Sequence, residues 1–326
     1  MKRRECIAGG LAVATAAMAG FASRAQAAGP VIRVANLDIG PFMPVAYVGK
    51  LAAQHGIDVR ITGFRQGLEA AEAVSAGAAD IAVGGVEAAV SAAAAGTPVE
   101  IIAGCTSGGI GWVARKGTNI KTIADLKGKK FAVIPGLHEL VMDLVFARHG
   151  LTYSRAPGAD VQVVFIDAPP ALNTALRNGD VDAMSAPEPF PSLAVLGGYA
   201  TRLPAPYDTP LGKVPRAIFA RRAFVTKYPD AAQRFVTAYV ASMKVFRDQP
   251  AVAEAFVLDD ALRGVMKKQD WELARKNEWW DVAMSLPIVQ AYIDAMLKYR
   301  MIRQPLHAAQ LTDLAMLAKA KAATRW

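Results

Sequence analysis

Cysteine is almost absent from this chain, with two in 326 residues. That excludes a disulfide-built scaffold and a thiolate zinc site. Histidine is scarce too: His55, His138, His149 and His307 show no HxH or HxxxH spacing, so the sequence offers no catalytic metal site and implies no metal or other cofactor. No GxSxG elbow, HExxH pair, P-loop or GxGxxG fingerprint is present. The glycine cluster Gly108-Gly109-Ile110-Gly111 precedes a strand pattern and not a helix, so it lacks the context of a dinucleotide site. Charged residues are only 20% and apolar residues 53%, which excludes a disordered tail. No internal repeat appears, and low complexity is limited to alanine runs such as Ala92–Ala95.

What is present begins with an address. Lys2-Arg3-Arg4 precede an apolar stretch of 16 residues, Ile7–Ala22, and Ala25-Gln26-Ala27 follows with the small-x-small pattern of a signal-peptidase site. The stretch is short for a membrane span and no charged stop-transfer segment follows. The reading is export to the periplasm with cleavage after Ala27. Arg3-Arg4 leaves the twin-arginine and general routes both open. Cys6 precedes the apolar stretch, where a lipid-anchored cysteine would follow it. The leader holds four basic residues and one acid, so its removal lowers the formal charge from +9 to +6. The remaining cations fall in short clusters (Lys127–Lys130, Arg221-Arg222, Lys267-Lys268) without a basic stripe interleaved with aromatics, which argues against nucleic acid as a partner. Cys105, alone in an apolar run, reads as a buried thiol packing as a small hydrophobe.

Strand and helix patterns then alternate. Strands are expected at 31–35, 57–62, 80–84, 99–103 and 111–115, with helices at 41–55, 67–76 and 86–95. Gly77 and Gly96 look like stops of the second and third helix. The rhythm restarts with strands at 130–134, 161–166 and 181–185 and helices at 137–149, 170–177 and near Pro187. A crossover rich in Pro and Gly spans 203–213, a returning strand 217–220, and helices are expected at 229–247, 251–257, 270–283 and 286–299. Such alternation predicts an α/β protein with mostly parallel sheets covered by helices on both faces.

Several segments, in order, resemble the type II periplasmic solute-binding proteins of ABC importers, in the nitrate, sulfonate and taurine (NMT1-like) branch. They are Ala76-Gly77-Ala78-Ala79-Asp80-Ile81, Thr97-Pro98-Val99, Ile123 to Lys130 (IADLKGKK), Asn178 to Ala183 (NGDVDA), Glu188-Pro189-Phe190 and Phe224 to Pro229 (FVTKYP). The resemblance spans roughly residues 31–245. It implies a two-lobed fold, each lobe a mostly parallel sheet flanked by helices, with the ligand cleft between lobes and a helical C-terminal tail. It places the first lobe at 28–115 and 212–326 and the second at 116–211. It further implies a monomer that captures a small-molecule ligand, a polar organic solute, and passes it to an ABC permease in the inner membrane.

Ligands of open α/β sheets bind beyond the carboxyl ends of strands, where helix N-termini offer free N–H groups. Five loops qualify, and their candidate ligand-binding residues are Asp38 and Phe42; Gly85, Val86 and Glu87; Ser107 and Gly108; Gly136, Leu137, His138 and Glu139; and Glu188 with Phe190. Where taurine-type receptors carry serines, this chain has Val86-Glu87, and Gly136-Leu137-His138-Glu139 stands where Ser and Thr are expected. A carboxylate accepts hydrogen bonds and repels anions, so Glu87 in the cleft points to an amine, a zwitterion or an aminopyrimidine instead of a plain sulfonate. The competing reading of Glu87, Glu139 and Glu188 is local: a carboxylate in a first helical turn stabilises the helix by roughly 0.3–1 kcal/mol without any ligand. Asp38 could equally cap a helix, and Trp271, Trp279 and Trp280 read as packing residues of the tail. Catalysis is not expected: the cysteine-rich iron motif of the thiamine-pyrimidine synthase that shares this fold class is missing. An exported sensor partner of a membrane receptor would use the same cleft.

Overall fold

The computed structural model describes residues 29–326, and the expected export segment, 1–27, lies outside them. The chain builds two main sheets. The first runs, edge to edge, Asp58–Phe64, Val31–Leu37, Ile81–Gly85, Arg216–Arg221 and Val99–Cys105. Val31–Leu37 is parallel to both its neighbours, and Arg216–Arg221 enters antiparallel between the other two. Burial follows composition. Ile81–Gly85, a central strand without a charged residue, is buried at every position, whereas the edge strand DVRITGF alternates exposed and half-buried positions.

The second sheet runs Ala200–Arg202, Ile110–Arg115, Ala183–Pro187, Lys129–Val133, Val161–Phe165 and Tyr153–Ser154. Lys129–Val133 is parallel to both neighbours, and Ile110–Arg115 is antiparallel to both of its own. The expected division after residue 115 therefore moves: 110–115 already belongs to the second sheet, and the chain crosses over at Thr106–Gly109. Thr106, Gly108 and Gly109 all adopt positive φ there, which bends the backbone out of the first sheet. Trp112, Phe131 and Phe146 pack ring against ring on this second sheet, with centroids 4.7 to 5.8 Å apart.

In each sheet the chain departs from one strand to the left and later returns to its right. The switch lies beside Val31–Leu37 in the first sheet and beside Lys129–Val133 in the second. Crevices open at such points because the helices after neighbouring strands cover opposite faces.

The C-terminal helices close the first sheet. Pro229–Asp248 packs on Met43–Leu51 and Ala315–Thr324, burying Phe235, Tyr239, Met243 and Phe246 along one stripe at helical spacing. Trp271 and Trp280 join Phe246 in an aromatic cluster. Trp279 instead stays 40% exposed under the Lys213 ammonium. The helix expected over 270–283 stops early, at Lys268–Lys276, and Glu278–Trp279 becomes a short strand on Ser107–Gly108. The cause is tertiary. The N–H groups of Gly109 and Thr106 in the crossover, and of Gly104 at the end of the edge strand Val99–Cys105, donate to the carbonyls of Asn277, Asp281 and Val282, and the Glu278 carboxylate is drawn beneath Arg216. These contacts outweigh helix propensity, which is worth only tenths of a kcal/mol per residue.

Candidate functional site

A cleft opens where the two switch points face each other. The first sheet contributes the ends of its strands and the turns after them (Leu37, Ile39, Phe42, Gly85, Glu87), the segment Arg65–Leu68 that opens helix Gly67–Ser75, and Arg216 at the head of the return strand. The second contributes Ile134, Pro135, Leu137, His138, Asp167, Pro169 and Pro187. Gln66 Nε2 donates to the Asp167 carbonyl at 2.9 Å and so ties the two sides together at the rim. The enclosed space is about 80 Å³; at about 10–15 Å³ per water-sized atom, it holds roughly five to eight heavy atoms.

Glu87 stands in the first turn of helix Val86–Ala94. Its side chain folds back over Gly85, where a Cβ would lie 1.8 Å from Oε2, so a larger residue there would push the carboxylate aside. Oε2 is buried and accepts no hydrogen bond. Oε1 points toward the opposite wall, 3.8 Å from where a Gly136 Cβ would stand. Burial pushes the Glu87 carboxyl up to about 7, against the pull of the Glu87 and Ala88 N–H groups and of Arg216.

Arg216 is buried beside it, in register with Gly85 on one side and Cys105 on the other. Its Nη1 donates to Thr106 Oγ1 and Glu278 Oε2, both at 3.1 Å, and its Nη2 to the Gly108 carbonyl at 2.8 Å. The guanidinium also lies 5.5 Å from the Phe42 ring centroid. Glu278 Oε1 is left without a partner, and burial raises that carboxyl to about 7 against the attraction of Arg216. His138 faces the group from the second sheet. Its Nδ1 lies 2.9 Å from Ser185 Oγ, and burial followed by the Arg216 charge lowers the ring to about 3, so it is neutral at physiological pH.

Of the residues singled out from the sequence, Phe42, Gly85, Glu87, Leu137 and His138 line this cleft, and Gly136 approaches it through its backbone. The others go elsewhere. Glu139 Oε2 accepts the Gly136 N–H at 3.4 Å and caps its own helix. Glu188 is a structural anchor, bound by Arg202 Nη2 at 2.8 Å and the Ser192 N–H at 3.3 Å. Phe190 packs into the second sheet's apolar cluster, and Val86 is core. Asp38 is exposed and folds against Gly63. Ser107 and Gly108 form the crossover ladder and reach the site only through the Gly108 carbonyl on Arg216. Arg216, Glu278, Gln66 and Leu68 were not anticipated. Arg216 carried one usable signal: a lone cation heading the apolar run Ala217–Ala220 directly after the Pro- and Gly-rich crossover.

The model of the family described as NMT1/THI5 like matches residues 53–253. No curated protein matches the chain. Among solved structures, the alkanesulfonate-binding protein SsuA from Xanthomonas axonopodis pv. citri, bound to MOPS, is 20% identical, covering 89% of this chain and all of its own, with a TM-score of 0.74. The periplasmic aliphatic sulphonate-binding protein SsuA from Escherichia coli is 19% identical over 86% of this chain and 91% of its own, with a TM-score of 0.73. The periplasmic nitrate-binding protein NrtA from Synechocystis PCC 6803 is 14% identical over 90% and 89%, at 0.69. The fold is thus the one these periplasmic binding proteins share, and with more than half its length inside the family model the chain belongs to the NMT1/THI5-like family.

Proposed function

We propose that the protein is the periplasmic receptor of an ABC importer, which closes over one small polar organic solute and delivers it to an inner-membrane permease. The observation that carries this reading is the small cleft at the paired switch points, walled from both sheets and bridged by Gln66 and Asp167. The first lobe holds the first sheet with the C-terminal helices, the second lobe the second sheet, and the crossovers lie at 106–109 and 203–215. The chain acts as an exported monomer, cleaved after Ala27. Among the described residues no helix is long and apolar enough to cross a membrane. A solute touching both walls favours the closed state, and closure sets the two lobe surfaces in the arrangement the permease reads. With about seven heavy atoms such a solute gains at most roughly −10 kcal/mol, enough for sub-micromolar binding. Two classes remain in play: the sulfonates bound by structural relatives, and amine- or pyrimidine-containing solutes, favoured by Glu87.

The test is a thermal-shift screen of residues 28–326 against taurine, alkanesulfonates, nitrate, carboxylates, amines and pyrimidines. A ligand at a hundred times its Kd stabilises by about 2.7 kcal/mol, a clear shift in the melt. Protein shown by mass spectrometry to be empty, and unmoved by the whole panel, would contradict the receptor reading.

A further inference from the structure

We propose that Glu87 occupies the anion-binding position of this cleft with its own carboxylate, so that the solute presents a cationic N–H group: an ammonium, amidinium or guanidinium. The inference rests on the receptor reading and narrows it.

The N-terminus of helix Val86–Ala94 opens on the cleft, and its free N–H groups and partial positive charge are what a sulfonate or carboxylate ligand needs. That place is taken. The Glu87 carboxylate is folded over Gly85 beside the N–H groups of Glu87 and Ala88. Although the residue is only 4% exposed, Oε2 makes no hydrogen bond. A buried carboxylate whose Oε2 has no donor and whose Oε1 is turned toward the opposite wall of a ligand-sized space is a binding partner waiting for one.

The neighbouring cation offers an anion little. Arg216 already gives its Nη groups to Glu278, Thr106 and Gly108. With both carboxylates ionised, Glu87, Glu278 and Arg216 sum to one negative charge, and a monocation brings the buried group to neutrality. His138 is neutral and adds nothing. At the rim, Arg65 pairs with Glu69 in solvent, and Asp167 adds a further acid. Among the described residues the lining holds no serine or threonine hydroxyl to hydrogen-bond sulfonate oxygens. The remaining walls, Leu37, Phe42, Leu68 and Leu137, suit a short apolar body behind the cationic head.

The experiment is titration calorimetry of residues 28–326 at pH 7.5 with two matched pairs, n-butylamine against butanesulfonate and butyramidine against butyrate. Wild type, Glu87→Gln and Glu87→Ser are compared, each checked for a native melt. Wild type is expected to bind at least one cation ten or more times more tightly than its matched anion. Glu87→Gln should lose at least tenfold for that cation. Glu87→Ser, with the helix N-terminus uncovered, should gain at least tenfold for butanesulfonate or butyrate. Wild type that binds the anions as well as the cations, or substitutions that leave the ratio unchanged, overturns the inference and leaves the receptor reading standing. If a variant does not fold, the wild-type ratio alone decides. No binding of any probe to wild type or to either variant contradicts the receptor reading, and this inference falls with it.

Discussion

Arg216→Met removes the cation at the centre of the buried cluster while nearly conserving volume. In the native protein the guanidinium is buried and holds Glu278 Oε2 at 3.1 Å, and the Glu278 side chain is only 1% exposed. Breaking such a pair from one side costs about 3–5 kcal/mol, because the surviving charge is left buried alone. The Gly108 carbonyl and Thr106 hydroxyl lose their donor as well, at about 1–3 kcal/mol where the group stays dry. A loss of about 4–8 kcal/mol is therefore expected at pH 7.5 by urea unfolding of the empty protein. Two controls isolate the cause. Burial already holds Glu278 near 7 with Arg216 present, so the carboxyl is neutral at pH 5.5 with or without the arginine, and the penalty there should be smaller by roughly 0.5–1 kcal/mol. The double variant Arg216→Met/Glu278→Met should recover half or more of the loss. A penalty below 1 kcal/mol, or one equal at both pH values and unrelieved in the double variant, would refute the reasoning that this pair is a mutually dependent charge cluster.

Burial raises Glu87 as well, to about 7. Between pH 4.5 and 7 the folded protein therefore keeps a proton that the unfolded chain has released, and stability falls as pH rises; Arg216, Tyr292 and, across the cleft, His138 are the groups around it. Glu87→Gln should be neutral at pH 5 and stabilise the empty protein by about 1–3 kcal/mol at pH 8, measured by urea unfolding; a difference independent of pH contradicts this. The His138 ring, lowered to about 3 by burial and Arg216, should show flat imidazole 15N shifts from pH 8 to 5, and a midpoint near 6.5 would place it in solvent. Glu139→Ala removes a helix cap and should cost about 0.5–1 kcal/mol of stability with no change in probe affinity, whereas a tenfold affinity loss would put Glu139 in the cleft.

The sheets were legible because their causes are local. Gly77 and Gly96 stop helices at positive φ, as their positions predicted, and Ile81–Gly85 announced a covered strand by its composition. Glu87 was legible as a carboxylate in the first turn after that strand. The rest depends on contacts between distant segments. Arg216 stands one residue ahead of an apolar strand, where a cation normally snorkels into solvent; only the antiparallel insertion of that strand beside Gly85 buries it. Glu278 lay inside a helical pattern and was pulled out of it by Arg216 and by the crossover ladder. Glu139 shows the opposite case, a candidate ligand residue explained by its three-residue spacing from Gly136. The Gln66 bridge joins segments 101 residues apart, and no local pattern encodes it.

The central claim, closure over a solute between the two lobes, is tested most directly by a distance across the cleft. Spin labels at Glu72→Cys on helix Gly67–Ser75 and Thr174→Cys on helix Pro169–Asn178 use exposed positions on opposite sides. The native Cys105 is buried and its thiol pushed up to about 11, so it stays unlabelled. Pulsed electron–electron resonance should show a broad or two-component distribution for the empty protein, and a single shorter component with a saturating concentration of the most stabilising compound in the thermal-shift panel. A distribution that the compound leaves unchanged would contradict the account.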